Sequence, residues 1–297
     1  MNTARLAAIG VAVGLILLLV IASRGPLTRM SEGYGERLDV APTHGEWVEY
    51  VGAGGDTVTA YVAFPERPDP APAMIVIHEI YGLTDWVRSV ADDFAGRGYV
   101  AIAPDMLSRR GGTPESADDA RGLIRSLPPD SITVDLDATF EYVRSLRSVR
   151  GDAIGVIGFC WGGSQSFRYA TNNPDLGASV VCYGGAPDLA TLGGIAAPVL
   201  GVYAENDARI NADLPEVEAA MADAAKRYVY AIYPGAGHAS CGEASRRRRS
   251  SGPGRMCSRS WAKRLGGRLP GLSPPERQQR DERVPRRRQH EPDHDEQ

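Results

Sequence analysis

Between residues 73 and 237 the chain carries six short runs that are almost free of charge: AMIVIHE (Ala73–Glu79), YVAIAPD (Tyr99–Asp105), DAIGVIGF (Asp152–Phe159), ASVVCYGG (Ala178–Gly185), APVLGVYAEND (Ala197–Asp207) and YVYAIYPGAG (Tyr228–Gly237). Runs of this length and uniformity are what a strand covered on both faces requires, because neither face can then be polar. Between them, apolar residues recur at helical spacing: Val87, Val90, Ala91, Phe94 and Ala95, then Leu136, Phe140 and Val143, then Leu214, Val217, Met221 and Ala224. Strand and helix in alternation define an α/β chain with a mostly parallel sheet and helices on both faces. Two earlier strands, EWVEYVG and VTAYVAF, are joined by a Gly54–Gly55–Asp56 turn.

The two ends of the chain do not share this pattern. Leu6–Ala22 is an uncharged apolar run flanked by Arg5 and Arg24, and no small-x-small cleavage site follows it. Residues 1–30 therefore read as an uncleaved N-terminal transmembrane helix, with residues 6–22 in lipid, and a removed signal peptide is the alternative. The arginine flanks are nearly balanced, Arg5 against Arg24 and Arg29. The main domain is placed outside the cytoplasmic membrane; a secreted or a cytoplasm-facing domain are the alternatives.

At the other end, residues 244–297 hold fifteen Lys and Arg against seven Asp and Glu. Since the whole chain carries −4, an acidic body precedes a basic tail, a balance that does not suit a dedicated nucleic-acid binder. The main domain is accordingly bounded at 31–243, and 244–297 is an Arg-rich, divergent tail with little periodicity beyond a faint stripe through Trp261 and Leu265. It reads as a solvated, disordered segment or as the product of a shifted reading frame in GC-rich DNA.

Chemistry concentrates at GFCWGG. Gly158-Phe159-Cys160-Trp161-Gly162 has the G-x-nucleophile-x-G form and follows a buried strand. Small residues two before and two after the cysteine let strand and helix pass closely. The thiol is thereby set at a helix N-terminus, where positive potential favours a thiolate. A buried apolar cysteine is the competing reading. An elbow of this kind expects an acid and then a histidine after later strands, and Asp207 and His238 follow in that order. A helix N-cap is the alternative for Asp207, and Glu205 is a rival orienter of the histidine. Of the five histidines, only His238 sits in a glycine-rich loop at a strand end after the elbow. No cofactor is implied, because the chain has no dinucleotide fingerprint, no Walker lysine and no metal-spaced His/Cys cluster.

With IHEIYGL (Ile77–Leu83), APDMLSR (Ala103–Arg109), GFCWGG, CYGG (Cys182–Gly185), the Asp207 loop and PGAGH (Pro234–His238), residues 45–240 resemble the dienelactone hydrolase family of α/β-hydrolases. The resemblance implies a Cys160–Asp207–His238 triad and a glutamate, Glu79, that meets the cysteine in the resting enzyme. It also implies oxyanion-hole N–H groups at Ile80 and Trp161 and a substrate-gripping arginine at Arg109, with Arg110 as a substitute. A cysteine-dependent hydrolase of a small lactone or carboxylic ester is then expected, with a thioesterase or an inactive membrane-tethered binding protein as alternatives. Glu79 stands at the end of a strand beside the nucleophile's strand, where its charge opposes ionisation of the thiol. The chain departs from the family pattern after His238. Ala239, Ser240, Cys241 and Gly242 stand where an aromatic and a second substrate arginine are usual, and the closing helix is poorly represented.

Overall fold

The computed structural model describes residues 43–239 apart from residue 53, together with residues 34, 38 and 41. Eight strands form one sheet: β1 (His44–Val51), β2 (Thr57–Phe64), β3 (Ala71–Ile77), β4 (Val100–Pro104), β5 (Val149–Phe159), β6 (Ala178–Cys182), β7 (Val199–Asn206) and β8 (Tyr228–Gly237). Their order is β1-β2-β4-β3-β5-β6-β7-β8. β2 runs antiparallel to β1 and β4, and every pairing from β4 to β8 is parallel.

The uncharged runs have a direct cause in packing. Along β3, Ile75 and Ile77 enter one core while Met74 and Val76 enter the other, so consecutive residues are both withdrawn from water. The first core gathers Ile132, Leu136, Phe140 and Val143 from the helix α3 (Pro129–Ser145). Phe167 and Ala170 of α4 (Trp161–Asn172) and Leu214, Val217 and Met221 of α6 (Leu214–Asp223) join it. The second core is closed by α1 (Asp85–Ala95), whose Val87, Val90, Ala91 and Phe94 form its apolar stripe. The described helical residues Tyr34 and Leu38 pack into the same core, and near β8 the cover thins: Val229 is 47 % exposed.

Two further helices complete the set. The four-residue α5 (Ala208–Asn211) follows β7. The other, α2 (Ala117–Arg125), had no signal in the spacing, because it buries only Ala120 and Ile124 among polar neighbours. Its N-cap Ser116 accepts a hydrogen bond from the Asp119 N–H.

The expectations of an N-terminal transmembrane helix, of lipid as a partner and of membrane localisation are corrected here. Among the described residues no helix is long and apolar enough to cross a membrane. The longest, α3, has 17 residues and carries Asp130, Asp135, Asp137, Glu141 and Arg144 around an amphipathic stripe, so its apolar face is spent on the sheet. A span needs about 20 predominantly apolar residues. Residues 6–22, on which the anchor was placed, lie outside the described residues, as do 240–297 with the Arg-rich tail.

Chain direction makes one place in the sheet special. After β3 the chain moves to one side to form β4, and then returns past β3 to form β5 on the other. Crossovers on opposite faces leave a crevice at the carboxyl ends of β3 and β5, where α/β sheets bind ligands.

Candidate active site

Cys160 lies at that crevice, directly after β5. Its φ of 54° and ψ of −114° are strained for a non-glycine residue, and the surrounding glycines make the turn possible. A Cβ built on Gly158 would stand 1.8 Å from the Gly162 carbonyl oxygen, and one on Gly162 would stand 2.3 Å from that of His78. The tight pass brings α4 to begin at Trp161 itself, directly after the cysteine. Cys160 is partly exposed, whereas Cys182, at the end of β6, is fully buried.

Three strand ends converge on the thiol. His238, just past β8, places Nε2 3.2 Å from Cys160 Sγ and Nδ1 2.5 Å from Asp207 Oδ2. Since the Asp207 carboxylate accepts, Nδ1 carries a proton and Nε2 faces the sulfur. Asp207 occupies the N-cap position of α5, but its side chain makes no cap hydrogen bond and is 6 % exposed. Helix capping is therefore not what its carboxylate does. Glu205, the rival orienter, instead accepts a 2.7 Å hydrogen bond from the Gly235 N–H and braces the end of β8 that delivers His238.

The imidazole of His238 is pushed up to about 9, first by its hydrogen bond with Cys160 and then by Asp207, against the opposing effect of partial burial. A ring held as imidazolium beside sulfur is the partner a thiolate takes.

Glu79 and Ile80 follow β3, next to β5 in the sheet. The structure adds a residue that sequence reasoning passed over: Tyr183 donates from its hydroxyl to Glu79 Oε1 at 3.1 Å, and its ring packs edge-on against His238 at 5.2 Å. It is 2 % exposed and held at φ 41°, a second strained position one strand from the elbow. The CYGG string contained it, but an aromatic after a buried strand looks like any core residue until its hydroxyl has a partner.

Arg109 is not brought to this cluster. It lies in the 3-10 turn Ser108–Arg110, and its guanidinium forms two-pronged hydrogen bonds with Asp135 of α3, at 3.0 and 2.7 Å to Oδ1. It also pairs with Asp56 in the β1–β2 turn. Asp56 sits in the turn between β1 and β2, beyond β4 on the side away from β3 and β5. Arg110 is exposed in the same turn. Among the described residues no group of three or more His, Cys, Asp or Glu is placed to hold a metal ion.

A strained nucleophile elbow at the switch point of a parallel sheet, with an Asp–His pair delivered from the last two strands, defines an α/β-hydrolase with a cysteine nucleophile position. Residues 58–262 match the family described as "DLH: Dienelactone hydrolase family", and the chain belongs to it. It is a carboxylic-ester hydrolase of the dienelactone hydrolase type. The "Putative carboxymethylenebutenolidase" of Salmonella typhi is 36% identical over 205 residues, covering 62% of this chain and 74% of that protein. A "Probable 2-oxo-3-(5-oxofuran-2-ylidene)propanoate lactonase" from Bradyrhizobium sp is 30% identical over 212 residues, covering 65% and 83%. Among solved structures, the "Putative Dienelactone Hydrolase" of Klebsiella pneumoniae superposes with a TM-score of 0.62 at 28% identity, covering 75% of this chain and 98% of that one. The family match runs past His238 to residue 262, further than the motifs alone reached.

Proposed function

We propose that the chain hydrolyses a small carboxylic ester or lactone through an acyl-cysteine intermediate on Cys160. The observation that carries this reading is His238 bridging Asp207 and Cys160 through its two ring nitrogens. Relatives named for butenolide and oxofuran lactones support a lactone or an activated ester as substrate.

The geometry supports the following steps. The sulfur of Cys160 attacks the substrate carbonyl carbon. The N–H groups of Ile80 and Trp161 receive the oxyanion; Trp161 is the first residue of α4, so its N–H has no partner inside the helix. His238 passes its Nε2 proton to the departing oxygen, which leaves Cys160 as a thioester. With the sulfur acylated, the largest influence holding the proton on His238 is gone, and the ring becomes a free base. It then takes a proton from water, the hydroxide attacks the thioester, and the acid leaves as sulfur recovers its charge beside imidazolium. Glu79 is held at the edge of the site by the hydrogen bond it accepts from Tyr183. Arg109 would act on a substrate carboxylate only after release from Asp56 and Asp135.

Mixing the protein with p-nitrophenyl acetate tests the reading. A burst of nitrophenol and an acetyl adduct on Cys160 by peptide mass are expected, and both should vanish in C160A. A burst that survives in C160A would end the proposal. Faster turnover of an acyl thioester than of its oxygen ester would identify a thioesterase of the same mechanism.

A further inference from the structure

His78 is fully buried, yet it is polar and lies one residue before Glu79. Both its ring nitrogens are engaged. Nε2 lies 3.1 Å from the Met106 backbone nitrogen, and a backbone N–H can only donate, so Nε2 must present a lone pair. The ring proton is therefore on Nδ1, which stands 2.7 Å from the Glu79 carbonyl oxygen and donates to it. Burial pushes the imidazole down, which keeps it neutral and leaves this tautomer in place, even with the Asp105 carboxylate 4.0 Å from Nε2. Both Asp105 oxygens are occupied elsewhere, by the Leu107 N–H and by the N–H and hydroxyl of Thr113.

The Glu79 carbonyl and the Ile80 N–H belong to one peptide unit. That unit is planar and trans, so the direction of its carbonyl fixes the direction of its N–H. A hydrogen bond to the Glu79 oxygen thus aims the Ile80 N–H. On its other side the His78 ring stacks on the ring of Trp161, centroids 5.6 Å apart and 19° from parallel. The same imidazole therefore touches the residues that supply both oxyanion donors. Past Ile80 the loop is pinned a second time: the Leu83 N–H donates to Thr113 Oγ1 at 2.8 Å, and a Cβ on Gly82 would meet that oxygen at 2.2 Å.

We infer that His78 is a positioning residue for the reaction, setting the Glu79–Ile80 peptide plane so that the Ile80 N–H faces the developing oxyanion. This rests on the ester-hydrolase reading above. A pair of substitutions separates aiming from mere packing. In His78→Asn the amide NH2 takes the place of Nδ1–H and can still donate to the Glu79 carbonyl. In His78→Gln the longer amide reaches the Nε2 position and serves Met106 instead.

The expected result is a kcat within about threefold of wild type for His78→Asn, and lower by about 10- to 100-fold for His78→Gln with KM little changed, a fraction of what loss of a whole oxyanion donor costs. Alkylation of Cys160 by iodoacetamide forms no oxyanion and should proceed at the wild-type rate in both. On the unmodified protein, 15N NMR should find His78 as the Nδ1–H tautomer. Equal kcat in the two variants, alkylation falling in step with kcat, or an Nε2–H tautomer would each overturn the inference. Absence of ester hydrolysis in the wild type would overturn the hydrolase reading and this inference with it, whereas unchanged kcat in both variants overturns the inference alone.

Discussion

Replacing Cys160 with alanine should change the acid–base behaviour of His238 more than any other single substitution in the site. In the resting enzyme the ring titrates at about 9, and its hydrogen bond with Cys160 is the largest cause. The two influences that remain, partial burial and Asp207, act in opposite directions, so without the sulfur the ring should titrate below its wild-type value. The sign is definite. A raised value means the proton is retained through neutrality and lost only as pH climbs through about 9. Around pH 7.5 the free base is then about 3 % of the wild type, and each unit by which the value falls raises that fraction by up to about tenfold. Titration of the His238 ring carbon signals by NMR in wild type and C160A measures this directly. The same reasoning applies to the acyl-enzyme, in which sulfur is no longer an ionisable partner. Its deacylation rate should rise with pH through a midpoint well below 9. A His238 midpoint in C160A within a few tenths of a unit of wild type, or a deacylation midpoint near 9, would refute the mechanism by which one histidine serves as acid and then as base.

Other substitutions test the scaffold and the reach of the site. Gly158→Ala forces a Cβ to within 1.8 Å of the Gly162 carbonyl oxygen, so urea unfolding should reveal a loss of at least about 3 kcal/mol; a loss under 1 kcal/mol would mean the elbow is less tight than described. Arg109→Met strands the nearly buried Asp135 carboxylate, 4 % exposed, and should cost about 3 kcal/mol in the same assay. A rise in KM confined to anionic esters, without lost stability, would instead make Arg109 a substrate grip. Native-state alkylation should leave Cys182 unlabelled, because it is fully buried, while Cys160 reacts; peptide mapping distinguishes the two.

Much of the architecture was legible because burial leaves a periodic trace. A strand covered on both faces must be almost wholly apolar, and β3 and β4 are entirely so, while β6 admits one polar residue, Ser179, whose hydroxyl donates to the Ser166 carbonyl; α1 and α3 carry apolar residues every third or fourth position. The elbow was legible for a related reason. Backbone atoms within 2 Å of a would-be Cβ admit only glycine, so the turn stamps itself on the sequence. What periodicity measures poorly is a short helix with two buried residues, and α2 went unnoticed for that reason. The apolar run at Leu6–Ala22 lies outside the described residues, and among those described no helix has the length and apolarity of a span.

Long-range hydrogen bonding was decided only by the tertiary structure. Asp207 and Glu205 are two residues apart at the end of β7, and both are acids near the same loop. The path of β8 sends one to the His238 ring and the other to the Gly235 backbone. Tyr183 meets Glu79 across 104 residues, and Arg109 meets Asp135 across 26. Residue type and local spacing determine which strands are buried and where a turn must be tight, because those depend on neighbours along the chain. Which carboxylate faces which cation depends on strand order, a property of the sheet as a whole. From its own residues the chain specified a nucleophile elbow followed by an acid and a histidine. Only the packed sheet selected Asp207 for His238, gave Glu79 to Tyr183 and closed Arg109 into a brace between two aspartates.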